Sequence, residues 1–224
     1  MTLPLKNKKI FIYIFIFFII TTFNNKNLNN FNFGKINKID VKGLDEKNNF
    51  QVSKNLYFLE DDNIFFLDKI KTKKIIETNN LVEKYSVFKL YPSTLDIKID
   101  KTKFLAHVTK DGNNFLLGSN GKLIKTNKIK QNLPLIFGDF KSKSFFELKN
   151  AMDKINFNFE DINKLFYFKS GRWDIETKYG LLIKLPKEEL NKSLELFVSF
   201  MDVKDLSGIK EIDLRQYNQI IINE

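Results

Sequence analysis

The chain has 224 residues, 43% hydrophobic and 14% aromatic, enough apolar material for two small domains or one larger one and too much for extended disorder. Its formal net charge is +10, yet of its 37 basic residues only Arg172 and Arg215 are arginine, so the planar guanidinium fork suited to nucleic acid is scarce. The charge reads as lysine-covered, solvated surface loosely attracted to anionic headgroups, with no nucleic-acid partner. The absence of cysteine excludes disulfides, thiolate chemistry and cysteine-based metal sites.

Lys6, Lys8 and Lys9 precede an apolar run over residues 10–20, which Thr21, Thr22 and Phe23 extend before Asn24 and Asn25 end it. A charged start followed by an apolar segment sends a chain to the export machinery with its N-terminus inside. A helix over residues 10–23 would measure only about 21 Å at 1.5 Å per residue, against a hydrocarbon core of about 30 Å. That length suits a cleaved signal peptide, but cleavage needs small residues, and the first alanine is Ala106, the first glycine Gly34 and the first serine Ser53. A retained anchor is the better reading. It predicts a cytoplasmic tail over 1–9, a single transmembrane helix over 10–23, an asparagine-rich linker over 24–35 and everything beyond outside the cytoplasm.

Ile39 and Val41 alternate with Asp40 and Lys42, predicting a half-buried strand that Gly43 breaks. Two helices follow, one over residues 50–58 and one starting after Asp68, a good N-cap. Strand character returns over residues 81–90, Tyr91 and Pro92 mark a turn, and Leu95, Ile97 and Ile99 alternate with charged residues. Strand, helix, helix, strand, strand makes an α+β unit over 36–102, its helices covering one face of a three-stranded sheet.

From residue 103 onward turn signals come quickly, at 111–114 and 118–121, separating short apolar runs that read as a β meander. Ser144 followed by Glu147 reads as a capping box ahead of Phe145, Leu148, Met152 and Ile155, an apolar stripe at helical spacing. Trp173, Ile175 and Thr177 form one arm of a hairpin with Trp173 in the core, Gly180 makes the turn, and Leu181, Ile183 and Leu185 form the other arm. Pro186 ends that strand and opens a helix with Glu188 and Glu189 in its first turn and Leu190, Leu194, Phe197 and Met201 along one side. Ile212 and Leu214, then Ile220 to Ile222, signal closing strands.

Catalytic chemistry finds little support. His107 is the single histidine and sits in an apolar strand pattern, where a structural imidazole is expected. Glu60, Asp61 and Asp62 lack the spacing and glycine of a calcium loop, and Gly118 to Gly121 lacks the lysine and helix start of a phosphate loop. No catalytic residue, metal site or cofactor is predicted.

Several strings, in order, resemble one family. The first unit resembles a POTRA domain through the Val-x-Gly ending of residues 39–43, NIFFLD at 63–68 and LYPSTLDIKI at 90–99. FLAHV at 104–108, LPLIFG at 133–138, WDIETKYGLLIKLP at 173–186 and IDLR at 212–215 are similar to the β domain of FtsQ/DivIB cell division proteins. Asp62 stands where that family often has glycine, and Val108 where it often has an aromatic residue. The resemblance implies a POTRA domain over 36–102 and an FtsQ-type β domain over 103–224 with an edge strand at its C-terminal end. It also implies a bitopic scaffold at the inner membrane and division septum, its bulk in the periplasm. Such a scaffold binds FtsB and FtsL through the β domain and other division proteins through the POTRA domain and anchor, and helps control septal peptidoglycan synthesis. The implied partner contact is Gln216, Tyr217, Asn218, Gln219, Ile220, Ile221 and Ile222. By residue type alone these isoleucines also suit an ordinary core strand, and alternate residues can serve each purpose. Gly43, Pro92, Trp173 and Gly180 are expected to be structural. The other readings are a POTRA-bearing factor of outer-membrane protein assembly or secretion, which usually continues into a long β barrel, and a secreted hydrolase, which the residue inventory disfavours.

Overall fold

The structure, a computed structural model, describes residues 8–22, 34–127, 132–201 and 208–223. The tail expected over 1–9 lies mostly, and the linker over 24–35 almost wholly, outside the described residues. Helix α1, Lys8–Thr22, carries the N-terminal apolar run. At 15 residues it is about 22 Å long. Among the described residues no helix is long and apolar enough to cross a membrane, and Phe23, the last residue of the span expected over 10–23, lies outside them.

Strand β1 (Lys38–Lys42) leads into helices α2 (Glu46–Asn55) and α3 (Lys69–Ile76), then strands β2 (Val82–Leu90) and β3 (Thr94–Lys101). The sheet order is β1-β3-β2, with β1 parallel to β3 and β2 antiparallel to it. This is the expected strand, helix, helix, strand, strand order. Ile39, Leu95, Ile97 and Ile99 of the sheet pack with Val52, Leu56, Leu59, Ile64 and Ile76 in one buried cluster. Helix α2 starts four residues before the expected Phe50, because the Asp45 side chain accepts from Asn48 N–H and fixes the first turn. Asp68 caps α3 as expected, accepting from Lys71 N–H at 2.9 Å.

The rest of the chain forms a nine-stranded sheet. Strands β4 (Phe104–Lys110), β5 (Asn113–Gly118) and β6 (Leu123–Lys125) are the expected meander. Strand β7 (Leu135–Phe137) then joins the other side of β4 and runs parallel to both β4 and β8 (Ile162–Tyr167). The hairpin β9 (Trp173–Thr177) and β10 (Leu182–Lys184) follows, and β11 (Glu211–Asp213) pairs parallel to β10. The last strand, β12 (Ile221–Asn223), ends the order β12-β11-β10-β9-β8-β7-β4-β5-β6.

Helices α4 (Ser142–Lys154) and α5 (Leu190–Met201) contribute Phe145, Leu148, Met152, Leu194 and Phe197 to the core of this sheet. Two expected helix starts are corrected. Helix α4 begins at Ser142 after Lys141, which supplies no side-chain cap, so Ser144 lies in the first turn, where its hydroxyl accepts from Trp173 Nε1 at 3.0 Å. Helix α5 begins at Leu190, and Glu188 and Glu189 precede it, Glu189 at φ 59°. A residue in left-handed backbone cannot continue a helical turn.

A polar seam joins the two sheets. One Glu83 carboxylate oxygen accepts from the Thr102 hydroxyl at 2.9 Å and the Ser119 hydroxyl at 2.7 Å. The Asn120 side chain donates to the carbonyls of Asn80 and Val82 at 2.9 and 2.8 Å, and Asn80 donates in return to Leu123 O at 2.9 Å.

Candidate partner-binding edge

The C-terminal end of the nine-stranded sheet is built from β11 outward. Ile212 and Leu214 are buried, at 0% and 1% exposure, and fix β11 against the core. Leu182 N–H donates to Lys210 O and Leu214 N–H to Lys184 O, each at 2.9 Å, which extends the β10 pairing beyond both ends of the short strand. Residues 216–219 form a turn with Asn218 at φ 55°, a conformation that asparagine tolerates. The chain then returns as β12, antiparallel to β11, with Ile212 opposite Ile222 and Asp213 opposite Ile221.

On β12 the strand period divides the isoleucines. Ile220 and Ile222 pack against the core cluster, whereas Ile221 is 49% exposed. Tyr217 on the preceding turn is 75% exposed. One side of β12 pairs with β11, and the strand ends the sheet order among the described residues. Its other side therefore carries backbone N–H and C=O groups that no neighbouring strand in this order occupies.

Charged side chains surround this edge. The Asp213 carboxylate accepts from the Arg215 backbone N–H at 2.9 Å and from its Nε, and the Arg215 guanidinium beside it holds the carboxyl below its usual range. Asp174 is 4% exposed, and burial pushes its carboxyl up against the opposing pull of Arg172, Arg215 and Lys184. Arg172 Nε stands 3.6 Å from Asp174 Oδ1, too far for a hydrogen bond, and its guanidinium lies 4.2 Å from the centre of the Phe168 ring. Arg172, Lys187, Ser193, Arg215 and Tyr217 line one cleft of about 520 Å³. The sequence reading missed Arg172 and Arg215 here. The available signal was that of the chain's two arginines, among so many lysines, Arg172 directly precedes the string at 173–186 and Arg215 ends the string at 212–215.

The other singled-out residues are spread through the fold. Gly43 follows β1 at φ 113°, and a Cβ there would stand 1.8 Å from the Ile99 carbonyl oxygen, so glycine alone suits that approach. Pro92 lies in the β2–β3 turn after a cis Tyr91–Pro92 bond, and Gly180 in the β9–β10 turn at φ 84°. Trp173 is 4% exposed among Phe140, Phe145 and Tyr167. His107 is buried in β4, and the carboxylates of residues 60–62 stand on an exposed turn.

The family model described as cell division protein FtsQ/DivIB, C-terminal, matches residues 106–215, and the one described as POTRA domain, FtsQ-type, matches residues 34–101. The chain belongs to the FtsQ/DivIB family of cell division proteins. Among its FtsQ relatives, the cell division protein FtsQ of Bradyrhizobium diazoefficiens is 24% identical over 71% of this chain and 48% of its own length. This chain therefore spans about half of that relative. The cell division protein FtsQ of Rickettsia bellii is 22% identical over 85% of this chain and 72% of its own. A solved structure, the major extracytoplasmic domain of the trans isomer of the bacterial cell division protein DivIB from Geobacillus stearothermophilus, covers 47% of this chain and 99% of that one. At 14% identity and a TM-score of 0.33 it supports no structural conclusion. The FtsQ/DivIB C-terminal match ends at Arg215, so the turn and β12 lie just beyond it.

Proposed function

We propose that this chain is a non-catalytic division scaffold that captures FtsB and FtsL by adding a partner strand to the free side of β12. It is held at the inner membrane by residues 10–23 with its bulk in the periplasm, and the captured complex helps control septal peptidoglycan synthesis. The observation that carries the reading is the exposed edge itself: Ile221 and Tyr217 face outward while Ile220 and Ile222 hold the strand in the core. An added strand gains affinity from main-chain hydrogen bonds and specificity from the side chains beside them. Tyr217 supplies a rigid amphipathic anchor at the mouth of the cleft.

Anchorage is supported by α1, whose residues 10–20 are all 44–69% exposed and apolar on every side, a surface that suits lipid. Local bilayer thinning accommodates the short span. The test is co-purification of FtsB with the full chain carrying Tyr217→Asp or Ile221→Lys, the latter chosen because Asp213 lies opposite Ile221. Capture weakened about tenfold or more, with unchanged thermal unfolding, is the expected result. Undiminished capture by both variants contradicts the assignment.

A further inference from the structure

Helix α3 and the turn before it present a surface that neither sheet uses. Phe66 is 86% exposed and Ile70 82%, and the neighbouring Phe65 and Tyr91, stacked with ring centres 5.1 Å apart, are 47% and 60% exposed. Large apolar side chains grouped at this exposure are uncommon without a partner surface. They are framed by cations. Lys69, Lys71, Lys73 and Lys74 are all exposed on α3, with Lys73 and Lys74 one helical turn beyond Ile70. Beside them Lys69, Lys73 and Lys89 rim a cleft of about 230 Å³ between α3 and β2, floored by Leu67, Tyr85 and Val87.

The acidic groups near this surface are Asp68, exposed and capping α3 through Lys71 N–H, Glu77, 3.8 Å from Lys73, Asp61, held by Lys35 at 2.7 Å, and Glu60 and Asp62, exposed on the turn before Asn63. The chain arriving from α1 joins the fold beside this patch. Ile64 N–H donates to Gly34 O at 2.6 Å, and Lys35 bridges to Asn63. Residues 23–33 separate α1 from Gly34, and a stretch of that length reaches at most roughly 40 Å.

The geometry points to this face as a membrane-docking surface: Phe66 and Ile70 enter the interfacial region of an anionic bilayer while the α3 lysines and the lysine-rimmed cleft take lipid phosphates. Aromatic and aliphatic side chains flanked by lysine are the composition that lies in a headgroup layer, and the lysine stems extend alongside the apolar surface. The inference rests on the membrane attachment proposed above, whose short tether keeps the face close to the bilayer.

The absence of cysteine makes single-site labelling clean. The full chain is reconstituted in phosphatidylethanolamine vesicles containing phosphatidylglycerol and a lipid-borne quencher. A fluorophore is placed in turn at Phe66→Cys, at Tyr13→Cys in α1 and at Tyr179→Cys, a position 84% exposed on the β9–β10 turn. Docking predicts quenching at 13 and 66, with at least about threefold more at 66 than at 179. It also predicts that the excess at 66 is lost with Lys73→Glu plus Lys74→Glu, or in phosphatidylcholine alone, while circular dichroism is unchanged. Quenching at 13 with none at 66 overturns the docking surface, leaves attachment standing and gives the face to a protein partner. Quenching at neither position overturns both.

Discussion

The Asp213 carboxylate accepts from both the backbone and the side chain of Arg215, which bends the chain out of β11 at the point where it turns toward Tyr217. Because the pair lowers the Asp213 pKa in the folded protein, its contribution is complete above the unfolded carboxylate value of about 3.9 and is lost as pH falls through the folded value. Asp213→Asn is expected to cost about 1 kcal/mol at neutral pH, a modest figure because Arg215 is partly solvated. The variant also flattens the acid limb of stability between that reference value and lower pH, which urea unfolding across a pH series measures. An equal stability gap at pH 7 and pH 2 contradicts this role. Asp174 has the opposite sign, since its burial makes the ionised form costly in the folded state.

At the scale of elements, the strand period separates two roles within β12. Ile222→Asp places a carboxylate against the core and is expected to lower stability by about 2 kcal/mol or more, whereas Ile221→Lys, opposite Asp213, leaves unfolding nearly unchanged. Thermal denaturation of the two variants separates these outcomes, and equal destabilisation contradicts the outward assignment of Ile221. The alternation at Ile39 and Val41, the Asp68 cap of α3, the apolar stripe of α4 and the hairpin about Gly180 were legible because each is a local pattern. The start of α2 was not legible from apolar spacing because its first turn, Glu46 to Asn49, carries no apolar residue, and it is Asp45 whose side chain accepts from Asn48 N–H. The capping-box reading of Ser144 failed because its hydroxyl is taken by Trp173, a partner 29 residues away. Strand β7 was unreadable as a central strand, since three residues carry no periodicity and both its partnerships are parallel and long-range. The isoleucines of 220–222 were recognisable as a strand, but which of them faces outward depends on the register with β11.

For the whole molecule, the seam around Glu83 determines how a force on one sheet reaches the other. Glu83 serves two hydroxyls, Thr102 where β3 passes to β4 and Ser119 in the β5–β6 turn. Glu83→Ala leaves both without that acceptor and is expected to cost about 1–2 kcal/mol. Calorimetry of the variant is expected to resolve a melting transition for each sheet, and an unchanged single transition contradicts the coupling. The seam was invisible in the sequence because its members are scattered polar residues that the fold alone assembles. On the function proposed above, the two ends of the molecule have distinct tasks, attachment on the side of α1 and Gly34 and partner capture at β12.

Amide hydrogen exchange of the full chain, with and without FtsB, tests partner capture most directly. Added-strand pairing predicts that exchange slows at residues 221–223 when FtsB binds, with smaller changes across the three-stranded sheet. Slowing confined to other strands, with 221–223 exchanging as fast as in the free protein, would contradict the account.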